Sequence, residues 1–333
     1  MPNRVQAYAF GIGSAKQVDS HTISTGIKRF RQLSQEVDTI RLVTETDANE
    51  IGKGNEFISK VYLDNWAFQH RFQKVTTAEF TALAWCYALG NVGLASSLYT
   101  AVPQDPGVSL ELPYTSFVAQ LAEGGGMAVD EALIGVQVEE VSTTFSFGPT
   151  RNDSTTSVTL LGTGRHVFPS GVTLPAALAE NELLSATLSL SLLGHDYVAD
   201  SSILNGTISW KNNLLERLMY RPGSGVQDGA AVGSTIFFGP RVPSLQITAF
   251  LKATSPELAA LIAQTPGTAS LKLQKDATHF VQWDLSQVTL ASVDRTSEEG
   301  LVAVSVNAAI QFKTSDSTIL TFTSKNDLTD ICQ

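Results

Sequence analysis

One ten-residue pattern occurs twice in the chain. Lys74 to Leu83 lines up with Lys252 to Leu261 at an offset of 178, and the match extends upstream without gaps to Phe72 on Phe250. In both copies a strand runs into a capped helix. Downstream the order repeats as well. Val136 to Ser146 reads as a strand, followed by a turn and the strand Ser157 to Leu161. In the second copy Val281 to Ala291, a charged turn at Asp294 to Gly300, and Leu301 to Ile310 take those places, at an offset of 145. The fall in offset assigns the first copy an extra loop of about 33 residues, within 92–130, rich in Gly and Pro. A matched series of strand, helix, strand, turn and strand implies an internal duplication. The expected organisation is a first domain over 1–165, with an N-terminal arm and the inserted loop 92–130. A connector over 166–181 leads to a second domain over 182–313 and a C-terminal tail over 314–333.

The fold class expected is mainly β, a sandwich or half-barrel with one flanking helix per repeat. Ser185 to Leu192 and Leu301 to Ile310 alternate apolar and polar residues with period two, the pattern of half-buried strands. Gly135 to Phe147 behaves similarly. Asn152-Asp153 and Asn205-Gly206 carry turn chemistry. Two helices stand out. Thr77 to Leu89 has a Thr cap, Glu79 in its first turn, and Gly90-Asn91 as a stop. Pro256 to Gln264 has Ser255 as cap and Pro256 at the first helical position, and Thr265-Pro266-Gly267 ends it. Pro169, Gly171 and Pro175 mark the connector as extended.

Composition narrows the function classes. The 333 residues are 43% hydrophobic and only 16% charged, which argues for a large core; so little charge fits surface covered by other subunits and fits a plain β-protein equally. The net charge of −10, from 32 acidic and 22 basic residues, argues against a surface built to grip nucleic acid; it fits a channel through which nucleic acid slides and equally the ordinary solubility of an acidic protein. Cys86 and Cys332 do not make a disulfide framework and fit assembly in a reducing cytoplasm. The start of the chain does not read as a signal peptide, and no segment has the unbroken apolar length to span a bilayer.

The chemistry-bearing residues do not converge on a reaction. His21, His70, His166, His195 and His279 lack metal-ligand partners at helical or hairpin spacing. Asp47 to Gly52 resembles the start of a calcium loop but lacks its terminal Glu. His195, Asp196 and Asp200 fall in a turn, where such residues serve local hydrogen bonds. The residue two before Ser224 is Pro222, so this is not a nucleophile elbow. Gly11 to Ser14 lacks the third glycine of a dinucleotide loop. No enzyme activity and no cofactor are expected. Phe30 to Phe57 and Leu214 to Ser234 read instead as paired long hairpin loops. Their polar residues Glu45, Asp47, Asn49, Glu50, Lys53, Arg221, Ser224 and Asp228 are candidates for contact with a neighbouring subunit.

Several pieces resemble the tail-tube family of long-tailed phages. They are the strand and helix over Phe72 to Leu89, Ile134 to Phe147 followed by the strand ending at Gly162, Asn205 to Leu214 running into a long loop, and Phe250 with Ser255 to Leu261. The resemblance covers most of Val37 to Phe312 and is stronger in the second copy. It implies a structural virion subunit made in the host bacterial cytoplasm. Its two tube domains would form homotrimeric, pseudo-hexameric rings that stack into a hollow tube for genome ejection. By the same resemblance its partners are copies of itself, tape-measure, tail-terminator and tail-tip proteins, and viral DNA in passage, with no membrane. The competing readings are a tail-tip hub or distal tail protein, a two-domain β-sandwich adhesin or carbohydrate-binding module, and, last, an enzyme on a β scaffold. Trp66, Trp85, Trp210 and Trp283 sit in elements that read as core, against the exposed aromatic cluster an adhesin needs.

Overall fold

The computed structural model describes residues 7–16, 26–30, 34–35, 39–47, 60–109, 111–122, 128–147, 152–162, 166–167, 173–183, 188–199, 202–215, 237–252, 256–298, 300–311 and 318–332. The first half of the chain gives β1 (Ala7–Gly13), β2 (Ile27–Phe30), β3 (Ser34–Gln35), β4 (Thr39–Asp47), β5 (Lys60–Val75) and α1 (Ala78–Leu89). It continues through β6 (Gly90–Ala95), β7 (Leu98–Pro103), β8 (Thr115–Ala122), β9 (Ala128–Phe147), β10 (Asn152–Gly162) and β11 (His166–Val167). The second half gives β12 (Leu188–Leu192), β13 (His195–Asp196), β14 (Ile203–Lys211), β15 (Leu214–Leu215), β16 (Phe237–Phe238) and β17 (Val242–Phe250). It ends with α2 (Glu257–Ala263), β18 (Gly267–Asp276), β19 (His279–Glu298), β20 (Leu301–Ile310) and β21 (Leu320–Lys325). The fold is mainly β: among the described residues, one large antiparallel sheet that does not close, the small β15–β16 pair, and two helices packed on the large sheet.

The strand pairings repeat from one half to the other. β9 pairs with β8 and β11 through its first part and with β10 through its second. β19 pairs in the same way with β18, β21 and β20. β1 flanks β8 as β12 flanks β18, and β5 flanks β10 as β17 flanks β20. Even the irregularities match. The register of β9 slips between the pairs Thr115–Val136 and Phe117–Leu133, and again at Glu139. In β19 the slips fall between Gly267–Val288 and Ala269–Leu285, and again at Ala291. A bulge adds one residue and re-aims the strand beyond it, so matching bulges give two strands of matching bend.

These bulges correct the sequence alignment. Val136 answers to Val288 instead of Val281, and Phe72, opposite Val158, answers to Ile247, opposite Val306, instead of Phe250. Period-two strands resemble one another at many shifts, and each bulge inverts the phase. The expected loop within 92–130 is also corrected. β6 and β7 form a hairpin there, β7 adds to the edge of β21, and β8 and β9 occupy the remainder. Asn205 and Gly206 lie inside β14, and Asn152 and Asp153 open β10, so neither pair is a turn. Gly206 is needed for space: a Cβ there would stand 2.5 Å from the Phe145 ring on the adjacent strand. The expected connector holds β11 and a segment tied to the first repeat through Leu178 N to Arg29 O. The expected tail holds β21, and Leu328, Ile331 and Cys332 join the core.

The helices lie close to their expected bounds. Thr77 caps α1 by accepting from Phe80 N, and Gly90 ends it at φ 92°. α2 carries Pro256 at its cap position without a side-chain bond, and the expected cap Ser255 lies outside the described residues. The core runs through both halves. Trp85 of α1 donates to Thr143 on β9, meets Trp283 of β19 edge-on at 5.4 Å and stacks on Phe322 of β21 at 5.9 Å. Trp85, Trp210 and Trp283 are fully buried.

Candidate assembly interface

The two repeats are joined by backbone pairing and by three polar locks. β14 pairs with the outer edge of β9, from Asn205 opposite Ser146 to Lys211 opposite Glu140. That fills the side of β9 which β8 leaves open. Beyond β14, the bulge residue Glu139 accepts from Asn212 N through its carbonyl and from Leu214 N through its carboxylate. The buried Asn212 side chain donates to Ala88 O at the end of α1 and to Val138 O, each at 2.9 Å. An extra strand residue thus becomes a socket for the next repeat.

The second lock lies where the chain passes between repeats. Glu79, 1% exposed in the first turn of α1, accepts from Asn181 N at 2.8 Å and from Asn181 Nδ2 at 2.7 Å. Leu183 N donates to Thr76 O, and Ser154 Oγ donates to Leu183 O. Lys74 pairs with Glu180 out of solvent. A buried carboxylate is tolerable only when its oxygens are occupied, and here the linker occupies both. The third lock surrounds the same asparagine. Asn181 Oδ1 accepts from Lys275, and Nδ2 reaches Asp327 at 3.2 Å. His279 bridges Asp327 and Asp276 at 3.2 and 3.0 Å. Burial would lower the His279 pKa, but the hydrogen bonds to Asp276 and Asp327 outweigh it and raise it. Bonds from Thr278 and then His279 hold Asp276 below the usual carboxylate range.

Ligand atoms of Glu79, His279 and Asp327 lie within 4.8 Å of one another, a grouping that spacing along the chain does not reveal. Asn181 and Asp276 already bond to these side chains, so the group acts as a pin between repeats. A cavity of about 410 Å³ lies beside Pro103, Asp105, Arg241 and Ile319. Arg241 rests 3.8 Å over the Phe238 ring and donates to Gln104 O, and burial lowers its pKa to about 10.

In the second repeat the matching surfaces are open. The outer edge of β19 from Ser292 to Glu298 answers to the β9 edge that β14 occupies. Among the described residues, no strand pairs with it. β3 and the start of β4 answer to β14, because they flank β5 as β14 flanks β17. Among the described residues, their far edge is also unpaired. α1 is buried along all twelve residues, whereas Glu257 alone is buried in α2.

Of the expected contact residues, Glu45 and Asp47 lie in β4, on the hairpin with β5. Asn49, Glu50, Lys53, Arg221, Ser224 and Asp228 lie outside the described residues. Sequence reasoning placed Glu79 at a helix start but missed Asn181, Asn212 and Glu139. Asn181 and Asn212 lie outside the helices and strands, and Glu139 sits at a bulge inside β9, where no periodicity marks them.

No protein-family model matches the chain, and no curated protein matches it in sequence.

Proposed function

We propose that the chain is a structural subunit that assembles head to tail with copies of itself, as the tube-forming protein of a phage-like tail. One observation carries this reading. Among the described residues, the junction that joins the first repeat to the second has an unoccupied counterpart at the far end of the second repeat, and an unpaired β3–β4 edge at the near end of the first. Unpaired strand edges invite pairing. Repeating one heterologous junction from chain to chain closes a ring when the rotation allows and otherwise gives a filament. Three chains would bring six repeats together, the arrangement that the tail-tube resemblance implies. The β4–β5 hairpin and the segment that joins β15 to β16 are then the candidates for contact between stacked rings. A net charge of −10 suits a conduit through which DNA must slide without adhering. Tape-measure, terminator and tip proteins would be its partners in a tail.

Electron microscopy of the concentrated, purified protein tests the reading. Rings or hollow tubes with threefold or pseudo-sixfold views are expected. Short closed rings that never stack would shift the role to a tail-tip hub. Monomers at every concentration, even with pre-formed tail tips added, would overturn it.

A further inference from the structure

In the first repeat the linker covers a specific patch. Thr76 N bonds to Ser154 O, and both residues are buried beneath Leu183, while Asn181 satisfies Glu79. The same patch exists in the second repeat, where no described segment lies over its apolar part. Leu251 N bonds to Val302 O in the counterpart position, yet Leu251 is 40% and Val302 53% exposed. Glu257 answers to Glu79 at the start of its helix. It is 2% exposed and accepts from Tyr197 at 2.6 Å through one oxygen, while its other buried oxygen has no hydrogen-bond partner. Leu258 and Ile262, one turn apart on α2, extend the apolar patch, with Ile262 77% exposed. Leu301 is exposed beside them in sequence with Val302.

We infer that Leu251, Val302, Glu257 and the outer stripe of α2 form a socket for the segment that leads into β1 of the next copy. The occupant follows from the repeat itself. The linker that covers the first patch is the segment leading into β12, and β12 flanks β18 as β1 flanks β8. The residues that precede β1 are therefore the counterpart of residues 181–183. The head-to-tail operator that lays β3 and β4 of the next copy along β19 brings those residues to this socket. An orphaned carboxylate oxygen requires a donor, and exposed Leu and Ile require cover, so one segment with an N–H donor and an apolar side chain meets both needs. The inference rests on the head-to-tail reading and adds the partner segment to it.

Cysteine crosslinking in the full-length protein tests it. Native Cys86 and Cys332 are buried, and burial raises both thiol pKa values, that of Cys332 to about 12, so they stay silent. One variant pairs Asn3→Cys with Val302→Cys for the socket. A second pairs Gln35→Cys with Ser297→Cys for the strand edge. Oxidation of assembled protein is expected to give covalent dimers and trimers with both pairs, and monomers with each single variant. Ile262→Asp is expected to raise the concentration needed for assembly at least tenfold while the thermal midpoint of the monomer stays unchanged. Particles that crosslink through the strand-edge pair alone, and that tolerate Ile262→Asp, would overturn the socket and leave head-to-tail assembly standing. Absence of particles and of both crosslinks would overturn the two together.

Discussion

α1 and α2 occupy the same place in the two repeats and have opposite environments. Every residue of α1 is buried, because β9 of its own repeat lies on one side and β19, β21 and the β6–β7 hairpin close the rest. α2 packs on β19 and leaves Leu258 and Ile262 in solvent. The composition follows the environment. Apart from Glu79 and Thr81, α1 is apolar, as a helix wedged between layers must be, and it can carry Trp85 because another repeat receives it. Ala263 stands in α2 where α1 has Trp85, and it is exposed. The lesson is that one fold can be complete in one copy and open in the other, with the open copy showing what the completed one buries.

The comparison breaks most readily through single helix residues. Trp85→Ala should destabilise the protein by about 3–5 kcal/mol, because it removes a buried ring that touches both halves. Ile262→Ala should change the stability of the unassembled chain by less than about 0.5 kcal/mol, since its side chain has little to lose. Urea midpoints of the two variants measure this directly. Equal losses would mean that α2 is covered within the monomer.

A smaller effect is expected at the repeat junction. Gly206→Ala places a methyl against the Phe145 ring and 2.9 Å from Gln246 O, and should cost about 1–3 kcal/mol. Combining it with Phe145→Leu should recover part of that loss, and a double-mutant cycle reads the recovery. The same residues show how far the sequence could be read. Alternating segments and capped helices are local patterns, so β20, α1 and the duplication were legible. Asn205-Gly206 has turn chemistry, but the pairing of β14 between β9 and β17 overrides local preference. The bulges at Glu139 and Ala291 are set by partner strands, and no residue type announces them. The junction between the repeats was not legible, and the long loops named for subunit contact lie mostly outside the described residues. The junction's polar locks at Asn181 and Asn212 depend on contacts more than seventy residues away in sequence.

The linker gives the next test. Asn181→Ala removes the side-chain bonds to Glu79 and Asp327 and leaves Glu79 its backbone donor. A loss of about 1–2 kcal/mol is expected. Met or Leu in place of Ile262, in the uncovered repeat, should by contrast be silent in the monomer. If Asn181→Ala is silent as well, the buried carboxylate of α1 draws its stability from elsewhere, and the parallel with Glu257 weakens.

The smallest effect concerns pH. His279 lies between Asp276 and Asp327, and its pKa is raised in the folded state. A group raised on folding contributes stability that is fully present below its unfolded value, about 6.5, and that is lost as pH rises through the folded value. Asp276 works in the opposite sense. Its pKa is depressed, so its contribution is present above the unfolded carboxylate value and fades as pH falls through the folded one. The pair is therefore strongest between those limits, in mildly acidic solution. Because the site is partly solvated, His279→Gln should cost under about 1 kcal/mol there and progressively less as pH rises through the folded value. Urea midpoints of wild type and variant across that range measure the difference. A gap that stays constant with pH would mean that His279 acts through packing alone. The pin at Asn181 would then rest on its neutral hydrogen bonds and on Lys275.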